Sequence, residues 1–194
     1  MSEFYQRYQA LIAQGELQPD ADQQGCAKRL AQLQEELEAV PPRGSLLWRT
    51  FGKKPEPPRG VYMWGGVGRG KSMLMDLFYE NLAIKRKKRA HFHEFMIDVH
   101  ARIREERKKE LGDPILPVAA DLAGEARFLA FDEMVVNNSA DAMIMSRLFT
   151  ALVEAGVTIV TTSNRPPADL YKDGLNREHF LPFVELLKTR LDVV

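Results

Sequence analysis

Apolar residues return at helical spacing through Phe4, Tyr8, Leu11 and Ile12 and stop at Gly15, so the chain opens with a predicted helix. A second stripe through Cys26, Leu30, Leu33 and Leu37 predicts another, capped by Asp20 or Asp22 and ended by Pro41 and Pro42. The stretch 41–60 then holds five prolines and a basic tint, which predicts an irregular connector. Trp48 and Phe51 inside it are expected to anchor it on the core, with partner binding as the alternative.

After Gly60 short apolar runs alternate with helical stripes, the pattern of a parallel sheet with crossover helices. Strands are expected at 61–64, near 90–95, at 127–131, at 157–162 and at 191–194. Helices are expected at 71–82, 96–111, 115–124, 140–155 and 181–189. Met96, Val99, His100 and Ile103 share one side of the second of these. Ser139 is the expected cap of the fourth, and Pro182 suits the first turn of the last.

Composition narrows the class without changing this picture. The 194 residues are 45% hydrophobic, enough for one substantial core. Lys and Arg total 27, as do Asp and Glu, so any binding to nucleic acid or anionic lipid needs a local patch rather than a global field. Cys26 is the single cysteine, which excludes an intrachain disulfide and a multi-cysteine zinc site and fits a reducing compartment. The first ten residues lack an apolar signal core, and runs such as 142–145 are far below the ~18 residues that would span a bilayer. A soluble protein is expected.

The candidate chemistry lies at strand ends. Gly65, Gly66, Val67, Gly68, Arg69, Gly70, Lys71 and Ser72 spell G-x-x-x-x-G-K-S between a predicted strand and a predicted helix, the context a phosphate-binding loop requires. The glycines let backbone N–H groups turn towards a polyphosphate and the helix offers its positive end. Lys71 would reach the β- and γ-phosphates, and the Ser72 hydroxyl would ligate Mg²⁺. A Gly-rich turn that binds nothing is the bland alternative. Asp132 and Glu133 end an apolar strand, where Asp132 would serve the Mg²⁺ shell and Glu133 would polarise water. Paired acids at a strand end can also be an ordinary turn. Asn164, after Thr161, Thr162 and Ser163, is a sensor candidate for the γ-phosphate and water, or a turn initiator before Pro166.

Three further features stay open. Arg177 could stabilise transition-state charge on a neighbouring subunit's nucleotide, with Arg165 and Arg190 as competitors and a merely solvated side chain as the alternative. The run Lys85, Arg86, Lys87, Lys88 and Arg89 is a solvated connector or an anion-binding patch. His91, His93, Glu94 and His100 invite a metal site because two histidines would alternate on a strand face, although packing around the sheet is the default.

The motif Gly65 to Phe78, the cluster His91-Phe92-His93-Glu94-Phe95-Met96 with Val99-His100, and Thr162-Ser163-Asn164-Arg165-Pro166-Pro167 together resemble a branch of the AAA+ P-loop ATPases. That branch includes the bacterial cell-division protein ZapE and the mitochondrial lactation-elevated ATPases. Asp169-Leu170-Tyr171-Lys172, Gly174-Leu175 and Phe180-Leu181-Pro182-Phe183 extend the resemblance over residues 3–194. It implies an oligomeric, Mg²⁺-dependent ATPase acting on protein partners, at the division ring in bacteria or in membrane-protein quality control in mitochondria. Lys71, Ser72, Asp132, Glu133, Asn164 and Arg177 match its Walker A, Walker B, sensor and arginine-finger positions. Gln23 matches a segment placed near the base. Two departures stand out. The family continues after the paired acids with an aromatic and a Gln-Val-Thr-Asp-like run, whereas this chain has Met134-Val135-Val136-Asn137-Asn138, so helix capping or partner contacts there are expected to differ. Family members also run past the position of Val194 into a helical lid with a second sensor arginine, so a core lacking that lid is expected.

The expectation is therefore a three-layer α/β P-loop domain with a five-stranded parallel sheet of order 5-1-4-3-2. A helical segment at 1–40 and a Pro-rich linker at 41–60 would precede an ATPase core at 61–194. ATP and Mg²⁺ are the expected cofactors, a division-ring protein the expected partner and a homo-oligomer the expected assembly. Nucleic acid is not expected to bind, peripheral membrane association is left open, and the compartment is cytoplasmic or, alternatively, mitochondrial. The rival functions are a nucleotide-binding module without turnover and a loader-like ATPase acting on nucleic acid.

Overall fold

The computed structural model describes residues 2–39, 56–68, 70–110 and 112–194. Arg69, Leu111, Trp48, Phe51 and most of the 41–60 connector lie outside the described residues. Helix α1, Glu3–Ala13, is capped by the Ser2 hydroxyl, which accepts from Tyr5 N–H at 3.3 Å. Helix α2, Ala21–Ala39, is capped by Asp20 rather than Asp22: the Asp20 carboxylate accepts from Gln23 N–H at 2.8 Å.

The sheet comprises β1 (Gly60–Trp64), β2 (Lys87–His91), β3 (Phe128–Asp132), β4 (Thr158–Ser163) and β5 (Leu191–Val193). Its order is β2-β3-β4-β1-β5 and every pairing is parallel, which is the expected 5-1-4-3-2 read from the other edge. The connecting helices are α3 (Lys71–Asn81), α4 (Phe92–Arg107), α5 (Ile115–Glu125), α6 (Ser139–Glu154) and α7 (Leu181–Arg190).

Three expectations about these elements require correction. The second strand occupies Lys87–His91, not the vicinity of 90–95, and the following helix starts at Phe92 rather than 96. Phe92, Phe95, Met96, Val99 and Ile103 are all buried on one helical stripe, and that burial outweighs any strand tendency of the Phe92–Phe95 stretch. The strand itself reads KKRAH, without the apolar run that marks an interior strand, because it lies at the sheet edge and pairs only with β3. The cap of α6 is Asn138, not Ser139: its side-chain oxygen accepts from Asp141 N–H at 2.8 Å. The altered run after the paired acids thus still ends in a capping residue.

Alternation along the strands divides the interior into two cores. Val61, Met63, Phe128, Ala130 and Val160 face Phe4, Tyr8, Leu30, Leu33 and Phe78 from α1, α2 and α3. Tyr62, Leu129, Phe131 and Ile159 face the other layer, where Phe92, Phe95, Phe149 and Phe183 come from α4, α6 and α7. Phe131 packs at a tilt against Phe95 with ring centroids 4.5 Å apart. The three-layer expectation holds, and the two N-terminal helices form part of one covering layer. Polar ties fix them there. The buried Gln34 accepts from Phe4 N–H at 3.2 Å and donates to the Asn81 carbonyl at 2.8 Å. Arg29 Nε donates to Asp192 Oδ2 at 2.6 Å while Arg59 Nε donates to Oδ1 at 2.9 Å, joining α2 to β5.

Candidate functional site

Parallel strands all end on the same side, so the residues that follow β1, β3 and β4 converge. The β1–β4 register pairs Met63 with Thr162 and Trp64 with Ser163, which sets Asn164 beside the loop that begins at Gly65. Gly65, Gly68 and Gly70 adopt positive φ of 146°, 83° and 75°. A Cβ at Gly65, Gly66 or Gly68 would meet no atom within 4 Å, so the described part of the loop curves around open space. At Gly70, the residue before α3, a Cβ would instead lie 2.5 Å from the Gln23 side-chain nitrogen.

Lys71 Nζ folds back over this loop. It donates to Gly65 O at 2.8 Å, Gly66 O at 2.9 Å and Asn164 Oδ1 at 3.2 Å. A cavity of about 310 Å³ opens in front of it, lined by Val67, Gly68, Gly70, Lys71, Ser72, Met73, Glu133 and Thr162 to Asn164. The structure thus brings the loop, Glu133 and Asn164 to one place.

The end of β4 holds the chain that leaves β3. Glu133 has φ of 55°, a left-handed conformation that costs a non-glycine residue roughly 1–3 kcal/mol. Its N–H donates to Thr162 Oγ1 at 2.9 Å, Met134 N–H donates to Thr162 O at 2.8 Å, and the Ser163 hydroxyl donates to Met134 O at 2.9 Å. These bonds turn the Glu133 side chain out to the cavity while Asp132 stays buried beneath. Tyr62 supports the same strand end: its hydroxyl donates to Arg165 O at 2.8 Å, and burial pushes its pKa up to about 12, so it stays a donor.

Asp132 does not line the cavity wall. Its two oxygens take a fork from Arg89, Nε to Oδ2 at 2.7 Å and Nη2 to Oδ1 at 3.1 Å, while Arg89 Nη1 reaches Asp76 on α3. Burial lowers the Arg89 pKa, but its bonds to Asp132 and Asp76 more than offset this and the net direction is upward. Arg89 is marked in the sequence only as one charge of the basic run, and Asp76 only as part of the Gly65 to Phe78 motif; neither is assigned to the site there. The available signals were weak: Asp76 follows Ser72 by one helical turn, and Arg89 is two residues short of the position that pairs with Asp132.

A second cavity of about 670 Å³ lies behind the loop, lined by Asp20 to Gln23, Gly25, Cys26, Met63 to Gly66, Lys71, Leu74 and Val194. Gln23 belongs to it and accepts from the Tyr8 hydroxyl at 3.2 Å. Burial pushes the Cys26 thiol pKa up, which keeps it protonated.

Arg177 is not brought to either cavity. It opens a short 3-10 turn, Arg177–His179, and its Nη2 donates to Ala168 O at 2.6 Å. Its competitor Arg190 lies at the opposite end of the sheet, beside Gly60 and Thr158. The histidine metal idea does not survive: His91 closes β2 while His93 lies in the first turn of α4, so the two do not alternate on one strand face, and His100 Nε2 lies 2.6 Å from Asp141. Among the described residues no group of three or more His, Cys, Asp or Glu is placed to hold a metal ion.

The basic run is neither a solvated connector nor an open patch. Arg86 donates to Ala123 O at 2.5 Å. Lys87 donates to Tyr79 O and to Leu82 O at 2.9 Å and sits 4.6 Å from the Tyr79 ring. Lys88 stands 3.7 Å from Glu125 and 3.9 Å from Asp98, leaving Lys85 as the exposed member. No helix among the described residues is long and apolar enough to cross a membrane.

Comparison with known proteins follows the same lines. The sequence model of the family described as AFG1-like ATPase matches residues 3–194. Lactation elevated protein 1 homolog B of Danio rerio is 49% identical over 150 residues, covering 73% of this chain and 30% of that protein. Cell division protein ZapE of Escherichia coli K12 is 41% identical over 199 residues, covering 97% of this chain and 52% of that protein. The chain thus spans about half the length, or less, of these relatives. A solved structure of the replication initiator DnaA, bound to AMPPCP and single-stranded DNA, superposes with a TM-score of 0.61. It is 14% identical and covers 93% of this chain and 48% of that one, a likeness of fold.

Proposed function

The chain belongs to the AFG1-like ATPase family, and from that premise we propose that its site binds Mg·ATP and hydrolyses the γ-phosphate in order to remodel or regulate a protein partner. The observation that carries this is the single cavity shared by Lys71, Ser72, Glu133 and Asn164, which arrive from three separate strand ends.

In this reading the backbone N–H groups of Gly65, Gly66, Val67, Gly68 and Gly70 cradle the phosphates, with Arg69 completing the motif. Lys71 exchanges neutral carbonyl acceptors for phosphate oxygens, and such charge-assisted bonds are about twice as strong as neutral ones. That exchange releases Asn164 from Lys71 and leaves its amide to meet the γ-phosphate and water. Glu133, held outward by the Thr162 and Ser163 clasp, orients the attacking water. The donor set suits magnesium, since the Ser72 hydroxyl and Asp132 carboxylate are hard oxygens of the kind that hold it together with substrate phosphates. Bound there, Mg²⁺ would neutralise charge developing on the phosphates. The larger cavity, lined in part by Met63, Trp64, Leu74 and Gln23, suits the nucleoside end.

Arg177 acts, on this proposal, on the nucleotide of an adjoining subunit, since within its own chain it is tied to Ala168. A homo-oligomer follows, with 1–40 as a helical segment, 41–60 as a linker and 61–194 as the ATPase core. The partner class is a division-ring protein, as the name of the E. coli relative suggests. The proposed compartment is the cytoplasm, with the mitochondrion as the alternative.

Steady-state phosphate release with Mg·ATP tests the reading. Glu133→Gln should retain nucleotide binding and lose turnover by roughly 10²-fold or more. Tight binding with no turnover in the parent chain would instead leave a nucleotide-binding module.

A further inference from the structure

Asp132 is a carboxylate with only 9% of its side chain exposed, and a buried charge of this kind requires a partner. Arg89 supplies it with a two-pronged contact to both oxygens, and its remaining nitrogen reaches Asp76 on α3. Asp76 stands one helical turn after Ser72, on the same face of the helix. One guanidinium therefore bridges the strand end that carries Asp132 and the helix that begins with Lys71 and Ser72.

We propose that Arg89 is a built-in counter-ion that keeps divalent cations out of this site until a polyphosphate arrives. The proposal rests on assigning Ser72 and Asp132 to the magnesium shell. A dication drawn to Asp132 meets a fixed positive charge already seated on both carboxylate oxygens, so in the nucleotide-free protein it binds weakly. The negative charge of a triphosphate changes that balance, and the guanidinium can then shift its weight onto Asp76, which is more exposed at 54% and so easier to rearrange around. Asp76 is thus the position to which Arg89 withdraws. Arg89 acts through Asp132 and is a positioning residue.

The test uses Mn²⁺ alone as a paramagnetic probe, titrated into the full chain without nucleotide. Arg89→Gln should bind Mn²⁺ at least about tenfold more tightly than the parent, the lower bound for removing a like charge from beside a dication even in the dielectric of water. Adding Asp132→Asn to that variant should return the affinity to the parent value. Arg89→Lys keeps the charge but cannot grip both oxygens, so it should show a smaller gain; it also serves if the glutamine variant fails to fold, which a circular-dichroism melt would show. With nucleotide present, Asp76→Asn should raise the Mg²⁺ concentration needed for half-maximal ATP binding, whereas Arg89→Gln should lower it. Unchanged or weaker Mn²⁺ binding in folded Arg89→Gln and Arg89→Lys would overturn the proposal. Because the Mn²⁺ arm contains no nucleotide, its failure is distinct from a failure of the parent chain to bind ATP.

Discussion

The basic run and the phosphate loop are two positively charged regions of this molecule, and they differ in what their charges face. The run from Lys85 to Arg89 is dense in sequence, yet Arg86, Lys87, Lys88 and Arg89 are each spent on a carbonyl or carboxylate of the same chain. The phosphate loop offers the ammonium of Lys71, also hydrogen-bonded, but to loop carbonyls at the edge of an open cavity. Charge along a sequence is therefore a poor guide to charge available to a ligand. What counts is whether the acceptors are permanent parts of the packing or can be exchanged for something stronger.

The sharpest way to break this comparison is to remove one charge from each region and measure nucleotide binding by calorimetry. Lys71→Ala should lose Mg·ATP affinity by roughly 100-fold or more, because it deletes charge-assisted bonds to the phosphates. Lys85→Ala should leave affinity unchanged, and equal losses in both would defeat the distinction.

A smaller effect separates structural from available charge. Lys87→Met strands the carbonyls of Tyr79 and Leu82 and should lower stability by about 1–3 kcal/mol in a urea titration. Burial already depresses the Lys87 pKa, as expected of an ammonium used inside the fold. A solvated lysine at that position would cost less than about 0.5 kcal/mol to replace.

The Arg29–Asp192–Arg59 cluster offers a pH test of the same idea. Burial raises the Asp192 pKa, but its two arginine partners outweigh this and the net direction is downward. A carboxylate lowered in the folded state contributes stability above its unfolded pKa and loses it as the pH falls through the folded one. Melting temperature should therefore drop on acidification below the ordinary carboxylate range, and drop less in Asp192→Asn. Smallest of all, Lys85→Glu should not alter any affinity for single-stranded nucleic acid at low salt; a marked loss there would revive the loader-like alternative.

Much of the architecture was legible from the pattern. The helices of the preface, the interior strands and the loop spelling all depend on neighbours within a few positions, and they fell close to where expected. The second strand was misplaced because an edge strand carrying charged side chains has no apolar run to announce it, while Phe92 and Phe95 read as strand until their burial on α4 is seen. The histidine group misled for the same reason. Arg177 was singled out by its position, and nothing within one chain brings it to the cavity.

The linear order of residues by itself determined the periodicities, the glycine-rich turn and the acidic and amide residues closing two interior strands, since each follows from short-range spacing and from what a given side chain can do. Only the tertiary structure decided which charges are committed to one another. Arg89 and Asp132 lie 43 positions apart and meet because a parallel crossover lays β2 beside β3. Glu133 lines the cavity that Lys71 also lines because β4, inserted between β3 and β1, clasps the backbone behind it. Pairings of that kind depend on strand neighbours chosen by packing, and no local spacing encodes them.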